Sequence, residues 1–370
     1  MPNYIHQLTD WPHFRWDRQG LADALGAVRH RQGRLIGRME GLGLKLQTEA
    51  TLRSLTEEVL QSSEIEGEVL NRDQVRSSLA RRLGVQIGAL TPADRNVEGV
   101  VEMILDATEN YDARLTAERL FGWHAALFPT GRSGMKKITV GAWRTGAAPM
   151  QVVSGPIGRE RVHFEAPAAP KLPREIKAFL DWFNDESVKS DPVLKAAVAH
   201  LWFVTIHPFE DGNGRIARAI ADLQLARSEK TSQRFYSMSA QIRQERDSYY
   251  DILETTQKGD LDITRWLRWF LACLDRAFDG AETILGSVLI KAKFWERHRG
   301  ESFNERQRKV LNRLLDGGFE GKLTSSKWAA LAKISQDTAS RDIADLLKRK
   351  ILIKDEAGGR STSYSLAHIA

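Results

Sequence analysis

The feature that most constrains the fold is a segment at 191–229 that predicts two helices broken by a short loop. An Asp-Pro pair at 191–192 starts the first helix, with the acid as its cap and the proline at its first position. This helix cannot run past His207, because Pro208 forces the residue before it out of the helical region. The Gly-Asn-Gly turn at 212–214 then offers the tight backbone conformations from which a second helix can start.

The residue types in this loop indicate a site for a phosphate chain. The start of the second helix presents unpaired backbone N–H groups and the positive end of the helix dipole, which together attract anions. Arg215 and Arg218 lie three residues apart on its first turn, so both can reach one ligand. Asp211 could hold Mg²⁺ against phosphates. His207 is the only side chain of the loop that can accept a proton near neutral pH.

The rest of the chain predicts a mainly helical protein with two small hairpins. Helical spacing of apolar residues continues through most of the first 300 residues, but "MQVVS" and "RVHFEA" form a hairpin across "GPIG". Beyond a polar stretch near residue 300, three short helices precede two strands, an order typical of a winged helix-turn-helix.

Composition limits the class of protein. The start, "MPNYIHQLTDW", has neither a basic end nor an apolar core, so it is no signal peptide, and no apolar run is long enough to span a membrane. The single cysteine, Cys273, lies in an apolar helical run and is predicted to be a buried structural thiol. We therefore predict a cytoplasmic protein.

The net charge of +6 is concentrated at residues 305–370, which contain 13 Lys/Arg against 8 Asp/Glu.

"HPFEDGNGRIAR" matches the Fic signature, His-x-Phe-x-Asp/Glu-Gly-Asn-Gly-Arg-x-x-Arg, at every specified position. The chain thus resembles Fic-domain proteins over nearly its whole length. The resemblance implies a mainly α fold: an N-terminal helical domain (1–110), a Fic catalytic core with a β-hairpin flap (111–295), and a linker with a winged helix-turn-helix (296–370).

Fic proteins usually transfer AMP from Mg-ATP to a Ser, Thr or Tyr hydroxyl of a protein, which makes ATP and Mg²⁺ the expected ligands here. The target could be another protein or the chain itself, and a homodimer is expected by the same resemblance. The resemblance implies that His207 is the base and that Asp211 is the Mg²⁺ ligand. It implies that the phosphates are bound by Gly212, Asn213 and Gly214, with Arg215 and Arg218 as ligands of the outer phosphates. Phe209 would anchor the loop in the core.

Two further segments resemble parts of Fic proteins. Residues 150–166 resemble the flap, which pairs with the target segment through its backbone, and Val162, His163, Phe164 and Glu165 would line it. "SYYDILETTQKGD" resembles the segment beside the nucleotide base, which would place Tyr249 and Tyr250 there. The alternatives are an ordinary hairpin and core aromatic residues. A base contact from Gln257 is not expected, because some relatives carry Asn at that position.

"SSEIEG" at 62–67 predicts a built-in inhibitor. Glu66 is predicted in the last turn of a helix that Gly67 stops, where the helix dipole disfavours a negative charge unless a cation pairs with it. On these residues alone, a solvated surface glutamate is the alternative. The stretch also matches the Fic inhibitory motif through Ser62, Glu66 and Gly67. In that family the glutamate pairs with the second arginine of the signature, here Arg218, and blocks the seating of the γ-phosphate.

The sequence of the C-terminal helices is compatible with two kinds of binding partner, DNA and protein. Ser335 is predicted to cap the helix that follows it. The side chains predicted to face the core are Ala339, Ile343, Leu346 and Leu347, and those predicted to face a DNA groove are Gln336, Thr338, Ser340 and Arg341. Arg360 would lie in the wing. Asp337, Asp342 and Asp345 on the same helix would repel phosphates.

Two alternative functions remain. One is a DNA-binding regulator whose Fic core senses nucleotide. The other is a Fic enzyme that removes AMP or transfers a different phosphate-containing group.

Overall fold

The computed structural model describes residues 3–87, 90–146, 148–155, 159, 161–187, 189–316, 321–355 and 362–367. The predicted flap turn at 156–158 and Arg360 lie outside these residues. The described part is mainly helical, as predicted, and no helix in it has the length and apolar character that a membrane crossing requires. Its α-helices are α1 Arg18–Glu40, α2 Leu44–Ile65, α3 Arg72–Arg82, α4 Arg95–Glu109, α5 Ala117–Leu127, α6 Leu172–Asn184, α7 Pro192–Ile206, α8 Asn213–Glu229, α9 Met238–Gln244, α10 Arg246–Gln257, α11 Thr264–Arg297, α12 Glu305–Leu315, α13 Ser325–Ala332 and α14 Gln336–Lys348.

The strands form three antiparallel pairs, each a separate two-stranded sheet. The β3–β4 pair is the predicted hairpin; its register matches Gln151 with Glu165 and Ser154 with Arg161, with an irregularity after Val152. The strands are β1 Arg132–Ser133, β2 Lys136–Lys137, β3 Gln151–Ser154, β4 Arg161–Glu165, β5 Leu352–Lys354 and β6 Tyr364–Leu366.

The chain divides into two compact units. The first comprises Met1–Leu42, Thr51–Val85 and Leu90–Ala281, and the second comprises Gly43–Ala50, Gln86–Ala89 and Glu282–Ala370. The division into three domains, with boundaries at 110 and 295, stays a prediction.

Helix α7 is the centre of the first unit. It is apolar on every side, and every side chain from Val193 to Ile206 is buried, as expected of a helix surrounded by other elements. It packs against α6 and α8, and α8 in turn packs against α4 and α5. Its start is the predicted one, since the Asp191 carboxylate accepts the Val193 N–H at 2.8 Å.

The loop after α7 begins and ends where the sequence predicts. Helix α7 stops at Ile206, and His207 adopts the left-handed conformation with φ 51°. Gly212, with φ 80°, precedes the first residue of α8. A Cβ atom at Gly212 would lie 2.9 Å from the Phe128 ring, so both the backbone angle and the space require glycine there.

The second unit has its own apolar core. Trp328 of α13, Val310 of α12 and Ile343 of α14 are fully buried in it, and Leu352 of β5 packs with them. As predicted, Ser335 caps α14 and accepts the Thr338 N–H at 3.3 Å. Three helices followed by the β5–β6 pair is the expected order of elements, while the winged helix-turn-helix assignment stays a prediction.

Candidate functional site

The loop between α7 and α8 is held by aromatic packing and by the side-chain amide of Asn213. Phe209 is fully buried, and its ring stacks on His124 with centroids 4.1 Å apart and planes 7° apart. The Asn213 side chain accepts the Phe209 N–H at 2.9 Å and donates to the Phe209 carbonyl at 2.9 Å. Because the Asn213 amide is committed to the loop, only its backbone N–H is left to face a ligand.

Arg144 also holds the loop in place, and no feature of the sequence predicts this role. Its Nε donates to the His207 carbonyl at 2.7 Å, and its Nη2 donates to the Pro167 carbonyl. Its backbone N–H donates to the Pro208 carbonyl at 2.9 Å. Burial lowers the pKa of this guanidinium. Two backbone carbonyls therefore hold the guanidinium beside His207, and the Arg144 backbone holds a third carbonyl of the same region.

The contacts of His207 set which of its nitrogens can accept a proton. Its Nδ1 lies 3.3 Å from the Val204 carbonyl, an acceptor, so we assign the proton of the neutral ring to Nδ1. Nε2 then keeps a free lone pair. Burial lowers the pKa of His207 to about 4, and the positive charge of Arg144 acts in the same direction. At neutral pH the imidazole is therefore unprotonated and can act as a base.

Asp211 lies two residues before the first residue of α8. One of its carboxylate oxygens accepts the Gly212 N–H at 2.6 Å, and the other accepts the Ser133 hydroxyl of β1. No cluster of three or more His, Cys, Asp or Glu side chains suited to a metal is present in the described part of the chain. A single carboxylate still suits Mg²⁺, because this ion is usually bound by one or two carboxylates together with substrate phosphates.

Arg218 is paired with the predicted inhibitory motif. The guanidinium, which is 2% exposed, donates to the Ser62 hydroxyl at 3.0 Å and to the Ser62 carbonyl at 2.8 Å. Its Nη2 lies 2.8 Å from Glu66 Oε1. Burial opposes the charge of Arg218, but the Glu66 carboxylate together with Tyr249 and Tyr250 outweighs it, so the pKa of the guanidinium is raised. Nη1 has no hydrogen-bond partner among the described residues.

Glu66 lies against the first turn of α8, where an anion would bind. Helix α2 ends at Ile65, so Glu66 is one residue beyond the helix rather than in its last turn. Gly67 follows with φ 85°, and its N–H donates to the Glu64 carbonyl at 3.0 Å. A Cβ atom on Gly214 would overlap the Glu66 carboxylate, so glycine at 214 is what allows the approach.

Arg215 is paired with an acid that the sequence analysis missed. Its Nη1 lies 2.6 Å from Glu68 Oε2, and its guanidinium lies 5.1 Å from the centre of the Phe128 ring. Its Nε is buried without a partner among the described residues. The sequence contains no signal for this pair, because 147 residues separate Glu68 from Arg215 and only the fold brings them together.

The two predicted base-contacting tyrosines differ in exposure. Tyr249 is 1% exposed and its hydroxyl lies 2.9 Å from His200 Nε2, while burial raises its pKa. Tyr250 is 36% exposed, and its hydroxyl donates to the Ile65 carbonyl at 3.3 Å. Gln257 is buried and donates to the Thr205 hydroxyl at 3.2 Å. Tyr250 is thus the better placed of the two tyrosines to contact a ligand.

The four predicted flap residues on β4 face different ways. Phe164 is 2% exposed and packs edge-on against Tyr4, so only its backbone could face a target. Val162 is 37% exposed. The Glu165 carboxylate accepts the Gln151 amide at 3.1 Å. His163 faces Glu254 of α10, with Nδ1 2.6 Å from Oε2.

Glu254 ties β4, part of the predicted flap, to α10, and no feature of the sequence indicated this role. Besides His163, it pairs with Arg161 of β4 at 2.9 Å and with Lys258 at 2.6 Å. Burial would raise the pKa of Glu254, but hydrogen bonds from Lys258, His163 and Arg161 outweigh it and lower the pKa to about 2.

Two family profiles match the chain. The first, described as "Domain of unknown function (DUF4172)", matches residues 4–85, which include Ser62 and Glu66. The second, the Fic/DOC family, matches residues 114–225, which include the loop and both arginines.

Known proteins resemble parts of the chain. It is 39% identical over 97 residues to Protein adenylyltransferase fic-1 of Caenorhabditis elegans, a match covering 26% of this chain and 18% of that protein. It is 36% identical over 102 residues to Protein adenylyltransferase Fic of Culex quinquefasciatus, a match covering 27% of this chain and 19% of that protein. The chain therefore spans about a fifth of the length of these relatives.

A solved structure shares the fold. A Fic family protein from Desulfovibrio desulfuricans G20 superposes with a TM-score of 0.54 at 21% identity, over 95% of this chain and 97% of that one. At this identity the superposition shows the fold alone. The family match at residues 114–225 and the named relatives show that the chain contains a Fic domain.

Proposed function

We propose that this protein is an adenylyltransferase that moves AMP from ATP to a Ser, Thr or Tyr hydroxyl of a protein, and that Glu66 holds it inactive. The observation that carries the proposal is the pair of Arg218 with Glu66, because Arg218 belongs to the helix that directly follows the loop with His207. The printed names of the relatives, protein adenylyltransferases, support it.

The proposed reaction is a displacement at the α-phosphorus of ATP. The hydroxyl oxygen of the target attacks the α-phosphorus and forms the new P–O bond, while the bond from that phosphorus to the β-bridging oxygen breaks. The proton of the hydroxyl passes to Nε2 of His207, the nitrogen left free by the Val204 contact. Pyrophosphate leaves with the electron pair of the broken bond.

The chain would stabilise the phosphates through backbone and cations. The N–H groups at the start of α8 face the anion position, and Arg215 and Arg218 carry the only two guanidinium groups of the signature. Asp211 would hold Mg²⁺, which neutralises phosphate charge when it is bound. Glu66 occupies this anion position, so ATP can seat fully only after its carboxylate has moved away from Arg218.

The flap would supply the docking strand for the target. Its exposed Val162 and the backbone of β4 suit strand addition, in which main-chain hydrogen bonds give affinity and side chains add little selectivity. The target is thus proposed to be an extended protein segment that carries a hydroxyl side chain. A cytoplasmic location and a homodimer also remain proposals.

A second proposal concerns the second unit, which we infer to be a winged helix-turn-helix that binds DNA. Gln336, Ser340 and Arg341 of α14 are exposed, as a groove-facing surface requires. Asp342 is buried, with its carboxylate 3.0 Å from Arg306 Nε, so this acid does not face outward. A gel-shift experiment with the full chain and Arg341→Ala would test it; equal retardation of duplex DNA by both would contradict it.

The reaction is tested by the position of the label in ATP. The Glu66→Gly variant is incubated with host lysate and ATP that carries the label on either the α- or the γ-phosphate. We expect a protein band labelled from α-labelled ATP alone, and no band when His207→Ala is added to the same variant. Label from γ-labelled ATP, or a band that survives His207→Ala, would contradict AMP transfer. Mass spectrometry of the labelled band then identifies the target and the modified hydroxyl.

A further inference from the structure

Each of the two arginines proposed to bind phosphate is paired with a carboxylate. Glu66 pairs with Arg218 at 2.8 Å, and Glu68 pairs with Arg215 at 2.6 Å. Both acids come from the short turn that follows α2, and both arginines come from the first turns of α8. The two positive charges that would attract a phosphate chain are therefore balanced by two negative charges from one turn. If Glu66 alone moves away from Arg218, the charge of Arg215 is still neutralised by Glu68.

We propose that Glu68 is a second residue that competes with phosphate, acting on Arg215 as Glu66 acts on Arg218. The proposal rests on the proposed function, because it assigns both arginines to phosphates of a nucleotide. It adds a residue outside the inhibitory motif, and it gives the two acids different tasks.

The burial of the two partners decides which of them moves. The Arg215 side chain is 5% exposed and the Glu68 side chain is 36% exposed. A guanidinium this deeply buried needs an anion near it, and it cannot turn into water without leaving its place over Phe128. Glu68 can turn into solvent at little cost. An incoming phosphate can therefore replace Glu68 on Arg215.

Unused donors on both arginines point to a ligand as well. Arg215 Nε and Arg218 Nη1 are buried without hydrogen-bond partners in the described part of the chain. Such donors are costly to bury unpaired, so they favour an anion that brings more acceptors than the two carboxylates supply. A chain of phosphates does this.

The two acids should control different phosphates. If Arg218 holds the γ-phosphate, Arg215 is left for the β-phosphate. Glu68 would then weaken the binding of both ATP and ADP, whereas Glu66 would weaken ATP more than ADP. AMP lacks both outer phosphates, so neither acid should affect it strongly. Together the two residues would make affinity depend on the number of phosphates in the nucleotide.

Calorimetry on the 370-residue chain tests this directly. The dissociation constants of Mg-ATP, Mg-ADP and AMP are measured for the wild type, Glu66→Gly, Glu68→Gln and the double variant. Glutamine keeps the shape and removes the charge of Glu68. We expect Glu68→Gln to tighten Mg-ADP and Mg-ATP by about threefold to tenfold, as for the loss of one partly exposed competing charge, and to leave AMP within about twofold.

Glu64→Gln is the matched control. Glu64 belongs to the same segment, its side chain is 38% exposed, and it pairs with Arg243 rather than with the loop. We expect its nucleotide affinities to equal those of the wild type. Thermal unfolding of each variant checks that the fold is retained.

The outcomes separate this inference from the proposed function. Unchanged or weaker Mg-ADP binding in Glu68→Gln, beside tighter Mg-ATP binding in Glu66→Gly, would overturn the role of Glu68 alone. Equal tightening by Glu64→Gln would also overturn it, because the effect would then be general charge. Absence of nucleotide binding in every variant would overturn both the role of Glu68 and the proposed function.

Discussion

The loop at 207–214 and the β3–β4 hairpin, the proposed flap, are built in opposite ways. The loop rests on buried groups: Phe209 is stacked on His124, and Arg144 holds the His207 carbonyl with its guanidinium and the Pro208 carbonyl with its backbone N–H. The hairpin is largely exposed and is tied to α10 by the ion pairs of Glu254. Packing and the buried Arg144 hold the first in one geometry, whereas the second has a buried anchor, Phe164, and is otherwise held by charged side chains that can exchange partners.

This difference matches the two tasks that we propose. A base and a phosphate cradle must be placed within a fraction of an ångström, which favours a loop locked by packing. A strand that accepts an extended protein segment needs a free edge and tolerates movement. Changes in the loop should therefore have large effects on the chemistry, and changes in the flap should have small effects that depend on the target.

The largest effect is expected from His207→Ala. The variant loses Nε2 of His207, the proposed base, so AMP transfer should fall by about a thousandfold, within the range of a lost general base. His13→Ala is the matched control, because His13 is exposed and outside the loop. Initial rates with saturating Mg-ATP measure both. If the rate of AMP transfer fell by less than about tenfold, the base would be a different residue. The expected difference between changes in the loop and changes in the flap would then be absent.

Gly212→Ala tests whether packing sets the loop geometry. With φ at 80° and the Phe128 ring 2.9 Å from the new Cβ, the variant should lose about 1–3 kcal/mol of unfolding free energy. Gly33→Ala is the control, because its Cβ would meet nothing within 4 Å inside α1; it should gain up to about 1 kcal/mol. Denaturant unfolding of both variants measures this. Equal stability of the two would contradict a loop held by packing.

The smallest effect is expected from Glu254→Gln. The flap loses its pairs with His163 and Arg161, but partly exposed ion pairs contribute little, so kcat/KM for the protein target should fall about twofold to fivefold. The dissociation constant of Mg-ATP should not change. Asp251→Asn, at an exposed position on the same helix, is the control. A change in Mg-ATP affinity equal to the change in kcat/KM would show that Glu254 acts on the nucleotide rather than on the flap.

The sequence predicted those features that depend on neighbouring residues. The cap at Asp191, the end of α7 before His207 and the glycine turn before α8 follow from local backbone chemistry, and the structure contains all three. The pair of Glu66 with Arg218 was predicted through the motif resemblance, and the structure brings the two together.

The features that were missed depend on distant segments. Arg144 reaches His207 across 63 residues, and Glu68 reaches Arg215 across 147 residues. Neither pair follows from helical periodicity or turn chemistry, since only the packing of the helices creates it. The position of Glu66 differed by one residue because the last turn of α2 ends at Ile65, and helix ends are the least certain part of a sequence-based assignment.

The most direct test of the central claim, an active site that Glu66 holds shut, is the initial rate of AMP incorporation by the wild type and by Glu66→Gly under the same conditions. Both are incubated with the same target and α-labelled Mg-ATP. We expect the variant to be at least about tenfold faster, because Arg218 is then free for the γ-phosphate. Equal rates would contradict the inhibition by Glu66.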